Sequence, residues 1–159
     1  MNNDLNEHIM SVIRLTKEFS FEAAHTLEGY DGPCREIHGH SYKLFVTVKG
    51  EPQIDENSPK LGMAMDFGLL KRIVNEQIVE RLDHAFIMRR TPQAEELAEA
   101  LEYRFSKIVF TDYQPTSENM LVDFAERLLG ALPEEIELYS LRLHETATSY
   151  AEWYASDNF

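Results

Sequence analysis

Two stretches of this sequence alternate apolar and polar residues with period two. Between them they put three histidines on one side of a sheet. From Ile13 to His25 the odd positions read Ile13, Leu15, Lys17, Phe19, Phe21, Ala23 and His25, and the even positions between them are mostly polar. Successive side chains of a strand point to opposite faces, so this is a half-buried strand, with Lys17 discordant and His25 on the apolar face. After a turn-rich segment, Glu28 to Pro33, the alternation returns with His38, His40, Tyr42, Leu44, Val46 and Val48 on one face. A hairpin between these strands brings His25 beside His38 and His40.

The rest of the chain reads as helices and a late strand. Gly50 to Lys60 is a polar loop, and Met63 to Met65 a short extended piece. Asp66 is an N-cap for a helix reaching about Leu82, with Leu70, Ile73, Val74 and Ile78 on one stripe. Thr91 caps a second helix with Pro92 at its first position and a stripe of Ala94, Leu97, Ala98, Leu101 and Phe105. A third begins near Thr116 and stops at Gly130. Tyr139, Leu141, Leu143 and Glu145 then share one face of a last strand. The order predicts an α+β domain, an antiparallel sheet with helices packed on one face, over residues 13–159, after an N-terminal tail at 1–12. Exposed strand edges make a homo-oligomer plausible.

Charge and cysteine count narrow the function. A formal net charge of −13 argues against nucleic acid or an acidic membrane surface as partner. The single cysteine, Cys34, excludes an intrachain disulfide, and no leader peptide or membrane-spanning run is evident, so a cytoplasmic location is expected.

The densest chemistry is Cys34-Arg35-Glu36-Ile37-His38-Gly39-His40. His38 and His40 point the same way, and with His25 they form a three-imidazole set with a fourth position open, as in catalytic zinc sites. Copper, nickel or iron also accept imidazole. With Cys34 as a fourth ligand the same residues make a closed, structural zinc site, and spacing does not separate the two readings. As a free thiol beside a cation, Cys34 is instead a candidate base or nucleophile. Asp83-His84 pairs a carboxylate with an imidazole, as acid–base work requires, provided a turn brings them together. Glu145 is a carboxylate on an apolar strand face, which calls for a partner such as an amidine-like donor edge.

Six pieces stand in order: FSFEAAH (Phe19 to His25), CREIHGH (Cys34 to His40), MDF (Met65 to Phe67), LDH (Leu82 to His84), PTSEN (Pro115 to Asn119) and HET (His144 to Thr146). Together they resemble the 6-pyruvoyl-tetrahydropterin synthase family. The short spacing from Cys34 to His38 resembles its branch of 6-carboxy-tetrahydropterin synthases. The resemblance implies the tunnelling fold and a Zn2+ cofactor on His25, His38 and His40. It implies Cys34, Asp83 and His84 as catalytic residues and Glu145 as the pterin anchor, in sites shared between subunits of a trimer or hexamer. It implies 7,8-dihydroneopterin triphosphate as substrate, cleaved to 6-carboxy-tetrahydropterin, acetaldehyde and triphosphate on the way to queuosine and other 7-deazapurines. Formation of 6-pyruvoyl-tetrahydropterin is the alternative, and a non-enzymatic protein with a structural zinc a second one. Thr116 and Ser117 are expected to touch the substrate, and Arg35, Lys43 and Lys17 are candidate phosphate contacts. The stretch from Phe86 to Gln114 is longer than in compact members of that branch and reads as holding an extra helix.

Overall fold

The computed structural model describes residues 11–159, so most of the expected 1–12 tail lies outside the described residues. Six strands form one sheet in the order β4-β3-β1-β2-β5-β6. Strands β1 (Ile13–His25) and β2 (His38–Gly50) pair antiparallel along their whole length, with His25 opposite His38 and Ala23 opposite His40. Strand β3 (Ala85–Arg89) runs parallel to the end of β1, and β4 (Ile108–Thr111) runs parallel to β3. On the other side β5 (Glu137–His144) and β6 (Tyr150–Tyr154) continue antiparallel.

The expected helices form, and their caps are the expected residues. Helix α1 spans 67–82, with a π-helical turn at Asn75–Val79, and Asp66 accepts the Gly68 N–H at its start. Thr91 caps α2 (Pro92–Glu102) by accepting the Ala94 N–H, and Thr116 caps α3 (Ser117–Leu129) by accepting that of Asn119. Each cap satisfies an amide that a helix start leaves unpaired.

The core lies between the sheet and α1 and α3. Phe19, Phe21, Tyr42, Leu44, Val46, Leu141 and Leu143 face Leu70, Val74, Ile78, Leu121, Phe124 and Leu128, all buried. Full burial of such a side chain contributes about 1.5–3 kcal/mol. The apolar floor under the histidines is therefore a rigid, well-packed part of the molecule.

Four features differ from the sequence expectation. The sheet is mixed, not wholly antiparallel, because β3 and β4 enclose α2 as a parallel crossover unit. Their apolar runs, four residues at 85–88 and three at 108–110, are too short to carry a periodic signal. Helix α2 does not join α1 and α3 on the core face. Its Ala94 and Ala98 pack on Met88, Phe86, Ile108 and Phe110, the other side of the β3–β4 ribbon, and Phe105 falls beyond the helix end and is exposed. Met63 to Met65 is irregular, with a bend at Ala64 and Met65, and Gln53 N–H donates to Met63 O. In β5, Tyr139 has no partner on β2, because Thr47 pairs with Ser140 and Val48 with Leu138. This bulge turns Leu138 into the core in place of Tyr139 and leaves Leu141 and Leu143 facing in.

Candidate metal and pterin site

The β1–β2 register brings three imidazoles to one point. Their ring centroids are 4.5 Å (His25–His38), 5.1 Å (His25–His40) and 4.9 Å (His38–His40) apart. One nitrogen from each lies within 4.8 Å of the others, and Cys34 is not part of that group.

The hydrogen bonds around the rings fix which nitrogens are free. His25 Nδ1 donates to Pro115 O at 2.7 Å, and His38 Nδ1 donates to Glu36 O at 2.7 Å. A neutral imidazole has one N–H, so both Nε2 atoms carry lone pairs. They face each other at 3.0 Å. Lone pair against lone pair at that distance is repulsive unless a proton or cation lies between. Burial holds the His25 pKa below its ordinary value, outweighing the Pro115 carbonyl that raises it, and His38 and His40 add to the lowering. A proton is thus disfavoured. The third nitrogen, His40 Nε2, is buried without a hydrogen-bond partner. Glu145 Oε1 is 3.3 Å away but off the bonding direction. Desolvation also lowers the His40 pKa, against the pull of Glu145. Three convergent imidazoles, two with Nε2 atoms face to face and the third with an Nε2 that makes no hydrogen bond, fit a divalent cation, and outer hydrogen bonds to carbonyls such as those of His25 and His38 are the usual way to orient such ligands.

Beside the triad, a cavity of about 300 Å³ is lined by Cys34, Tyr30, Thr116, Ser117, Glu145 and Tyr150, among others. Cys34 sits in a single 3-10 turn, Pro33–Arg35, and is half-buried. Glu145 lies one residue past β5. Its Oε2 accepts the buried Ser117 hydroxyl at 2.5 Å, which fixes the carboxylate at the helix α3 start. Cys34, Glu145, Thr116 and Ser117, predicted separately, therefore share one cavity.

Asp83 and His84 do form a pair, with His84 Nδ1 3.0 Å from Asp83 Oδ2. The turn that allows it puts His84 in the left-handed region, φ 61°. Asp83 Oδ1 accepts the Glu22 N–H at 2.9 Å, and this bond is the main reason its carboxyl titrates below the ordinary range. Yet the pair does not line the Cys34 cavity. His84 is exposed in a recess whose lining includes His40, Ala23 and Ala85 together with Glu22, Ala24, Gly39 and Ser41, the last four of which alternate with the histidine positions and so face the opposite side of the sheet.

Lys43 also lies on that opposite side, 3.3 Å from Glu18 Oε1. Arg35 is 3.2 Å from Glu36 Oε1 and lines a different recess, with Arg89 and Leu97. Lys17 stands eight residues before His25, roughly 26 Å along an extended strand. Three contributors carried no sequence signal of their function: the Pro115 carbonyl, Tyr30 and Tyr150.

Known proteins resemble this chain in sequence and fold. A protein of Haemophilus influenzae named 6-carboxy-5,6,7,8-tetrahydropterin synthase is 37% identical over 143 residues, covering 89% of this chain and 99% of that protein. One of the same name from Aquifex aeolicus is 33% identical over 161 residues, covering 87% and 96%. The solved 6-pyruvoyl tetrahydropterin synthase of Caenorhabditis elegans superposes with a TM-score of 0.66 at 24% identity, over 92% of this chain and 97% of that one. An uncharacterized Wolinella succinogenes protein gives 0.72 at 22%, over 91% and 99%. These likenesses carry the tunnelling fold. The profile described as 6-pyruvoyl tetrahydropterin synthase matches residues 14–156, which takes in every histidine of the triad, and the chain belongs to that family.

Proposed function

We propose that the protein is a zinc-dependent 6-carboxytetrahydropterin synthase of queuosine and 7-deazapurine biosynthesis. It converts 7,8-dihydroneopterin triphosphate and water to 6-carboxy-5,6,7,8-tetrahydropterin, acetaldehyde and triphosphate. The observation that carries this reading is the convergence of three imidazoles beside a cavity that holds Cys34 and Glu145, whose carboxylate lies 3.3 Å from His40 Nε2. The names of the bacterial relatives favour the carboxy over the pyruvoyl product. Cys34 stands outside the ligand group, which leaves the fourth metal position for substrate and disfavours a closed structural site.

Each residue then has a task. Glu145 accepts the donor edge of the pterin, held in place by Ser117. The Cys34 thiol, in the same cavity, takes up and returns a proton of the side chain. His25, His38 and His40 would hold the zinc, which would supply Lewis-acid polarisation to the side-chain oxygens. His84, oriented by Asp83, faces away from its own triad, so it serves the site of a neighbouring copy in a trimer or hexamer. Arg35, Lys43 and Lys17 remain candidates for the phosphates.

The test is product analysis with purified, zinc-loaded protein. Acetaldehyde together with a carboxylated tetrahydropterin is expected. A 6-pyruvoyl product without acetaldehyde overturns the assignment.

A further inference from the structure

The Asp83–His84 turn is the one place among the described residues where a side chain other than glycine's adopts a positive φ. Holding a residue there costs about 1–3 kcal/mol and persists only where the surroundings impose it. The constraints are visible. His84 N–H donates to Glu22 O at 2.6 Å, and the Asp83 carboxylate accepts Glu22 N–H in return. That exchange fixes both residues to β1, and the His84 N–H it uses is one end of the Asp83–His84 peptide.

A third contact holds the other end of the same peptide, its carbonyl. Lys107 Nζ donates to Asp83 O at 2.5 Å and to Glu80 O at 2.8 Å. Asp83 O belongs to the Asp83–His84 peptide itself, so the ammonium holds the plane whose rotation sets the φ of His84. Glu80 O belongs to the last turn of α1, where carbonyls lack helical partners and a cation is favoured. The lysine is itself anchored, since its own carbonyl accepts Phe86 N–H at 2.9 Å, two residues past His84. A half-buried ammonium spending two bonds on carbonyls is not a solvated surface charge.

We infer that Lys107 is a positioning residue that locks the Asp83–His84 peptide and thereby aims the His84 imidazole at the reacting substrate. The inference rests on the reading of His84 as an acid–base group. It concerns aim and not substrate affinity, so it predicts a specific kinetic pattern.

The experiment compares Lys107→Met, Lys107→Arg, His84→Ala and the double variant Lys107→Met/His84→Ala, each assayed for kcat, KM, zinc content and Tm. A misaim of about 1 Å lowers rate by as much as roughly a hundredfold. Lys107→Met is therefore expected to lose about tenfold to a hundredfold in kcat, with KM within about twofold and zinc unchanged. Lys107→Arg, which can donate to both carbonyls, restores most of the loss. The double variant is no slower than His84→Ala. If Lys107→Met does not accumulate as folded protein, Lys107→Gln, with an amide donor for the carbonyls, is expected between wild type and His84→Ala in kcat. Wild-type kcat in Lys107→Met or Lys107→Gln, with His84→Ala inactive, overturns the inference alone. A further, multiplicative loss in the double variant also overturns it, because Lys107 then acts elsewhere. Full activity in His84→Ala overturns the acid–base reading and the inference with it.

Discussion

Gly39 stands between two ligand positions, and the structure shows what a methyl group there would do. Its Cβ would lie 3.2 Å from Ala23 O and 3.7 Å from Ala24 Cα. Both are backbone atoms of β1, paired on one side to β2 and on the other to β3, so neither yields as a flexible side chain would. Relief therefore moves β1 and β2 apart by a few tenths of an ångström, at the register where His25 faces His38. Overpacking of this kind costs about 1–3 kcal/mol. Gly→Ala returns about 0.4–1 kcal/mol by restricting the unfolded chain. The net is about 0–2.6 kcal/mol, or a Tm loss of at most roughly 10 °C for a domain of this size. Stability is thus a weak readout. Metal affinity is a strong one, because ligand distances tolerate only about ±0.2 Å. Gly39→Ala is expected to weaken zinc binding by about tenfold to a hundredfold, the range found when ligand orientation is disturbed. The assay is competition with a chromophoric chelator, with Ser41→Ala as a control on the same strand face. A Gly39→Ala protein whose zinc Kd lies within about twofold of wild type would show that the strand spacing does not set the site.

Cys34→Ala is expected to keep one zinc per chain and its wild-type melting temperature while product formation falls by about a hundredfold or more, as for loss of a proton-transfer group; loss of zinc restores the structural reading. Mixing inactive Cys34→Ala and His84→Ala subunits is expected to regain part of the activity, because the two residues lie on opposite sides of the sheet; continued inactivity in confirmed mixed oligomers rejects the shared site. Asp66 titrates below its ordinary pKa of 3.8, chiefly through its hydrogen bond from Lys60 and then the Gly68 N–H. Its stabilisation is complete above that value and is lost as pH falls through the lower folded pKa. Asp66→Asn, which keeps a cap but no charge, should therefore lower Tm near neutrality, with the gap to wild type closing as pH falls below 3.8; a gap that stays constant across that acid range refutes the assignment.

The sequence by itself determined which three imidazoles converge, because a strand's period of two makes side-chain direction readable from residue number. His25, His38 and His40 follow from parity alone, and caps such as Asp66, Thr91 and Thr116 follow from local hydrogen bonding within three residues. Cys34, Glu145 and Ser117 were legible as candidates but not as neighbours. Only the tertiary structure brought them into one cavity, by laying the start of α3 against the end of β5. It alone decided the side on which Asp83 and His84 stand, since a left-handed turn has no signal when the residue is not glycine. Strands β3, β4 and β6 escaped detection because four or five residues give too few alternations, and their pairing energy comes from partners far along the chain. The Pro115 carbonyl that sets the His25 tautomer and the Lys107 ammonium that holds the His84 peptide act on backbone atoms. Backbone atoms are the same at every position, so only the folded chain shows which of them meet a side chain.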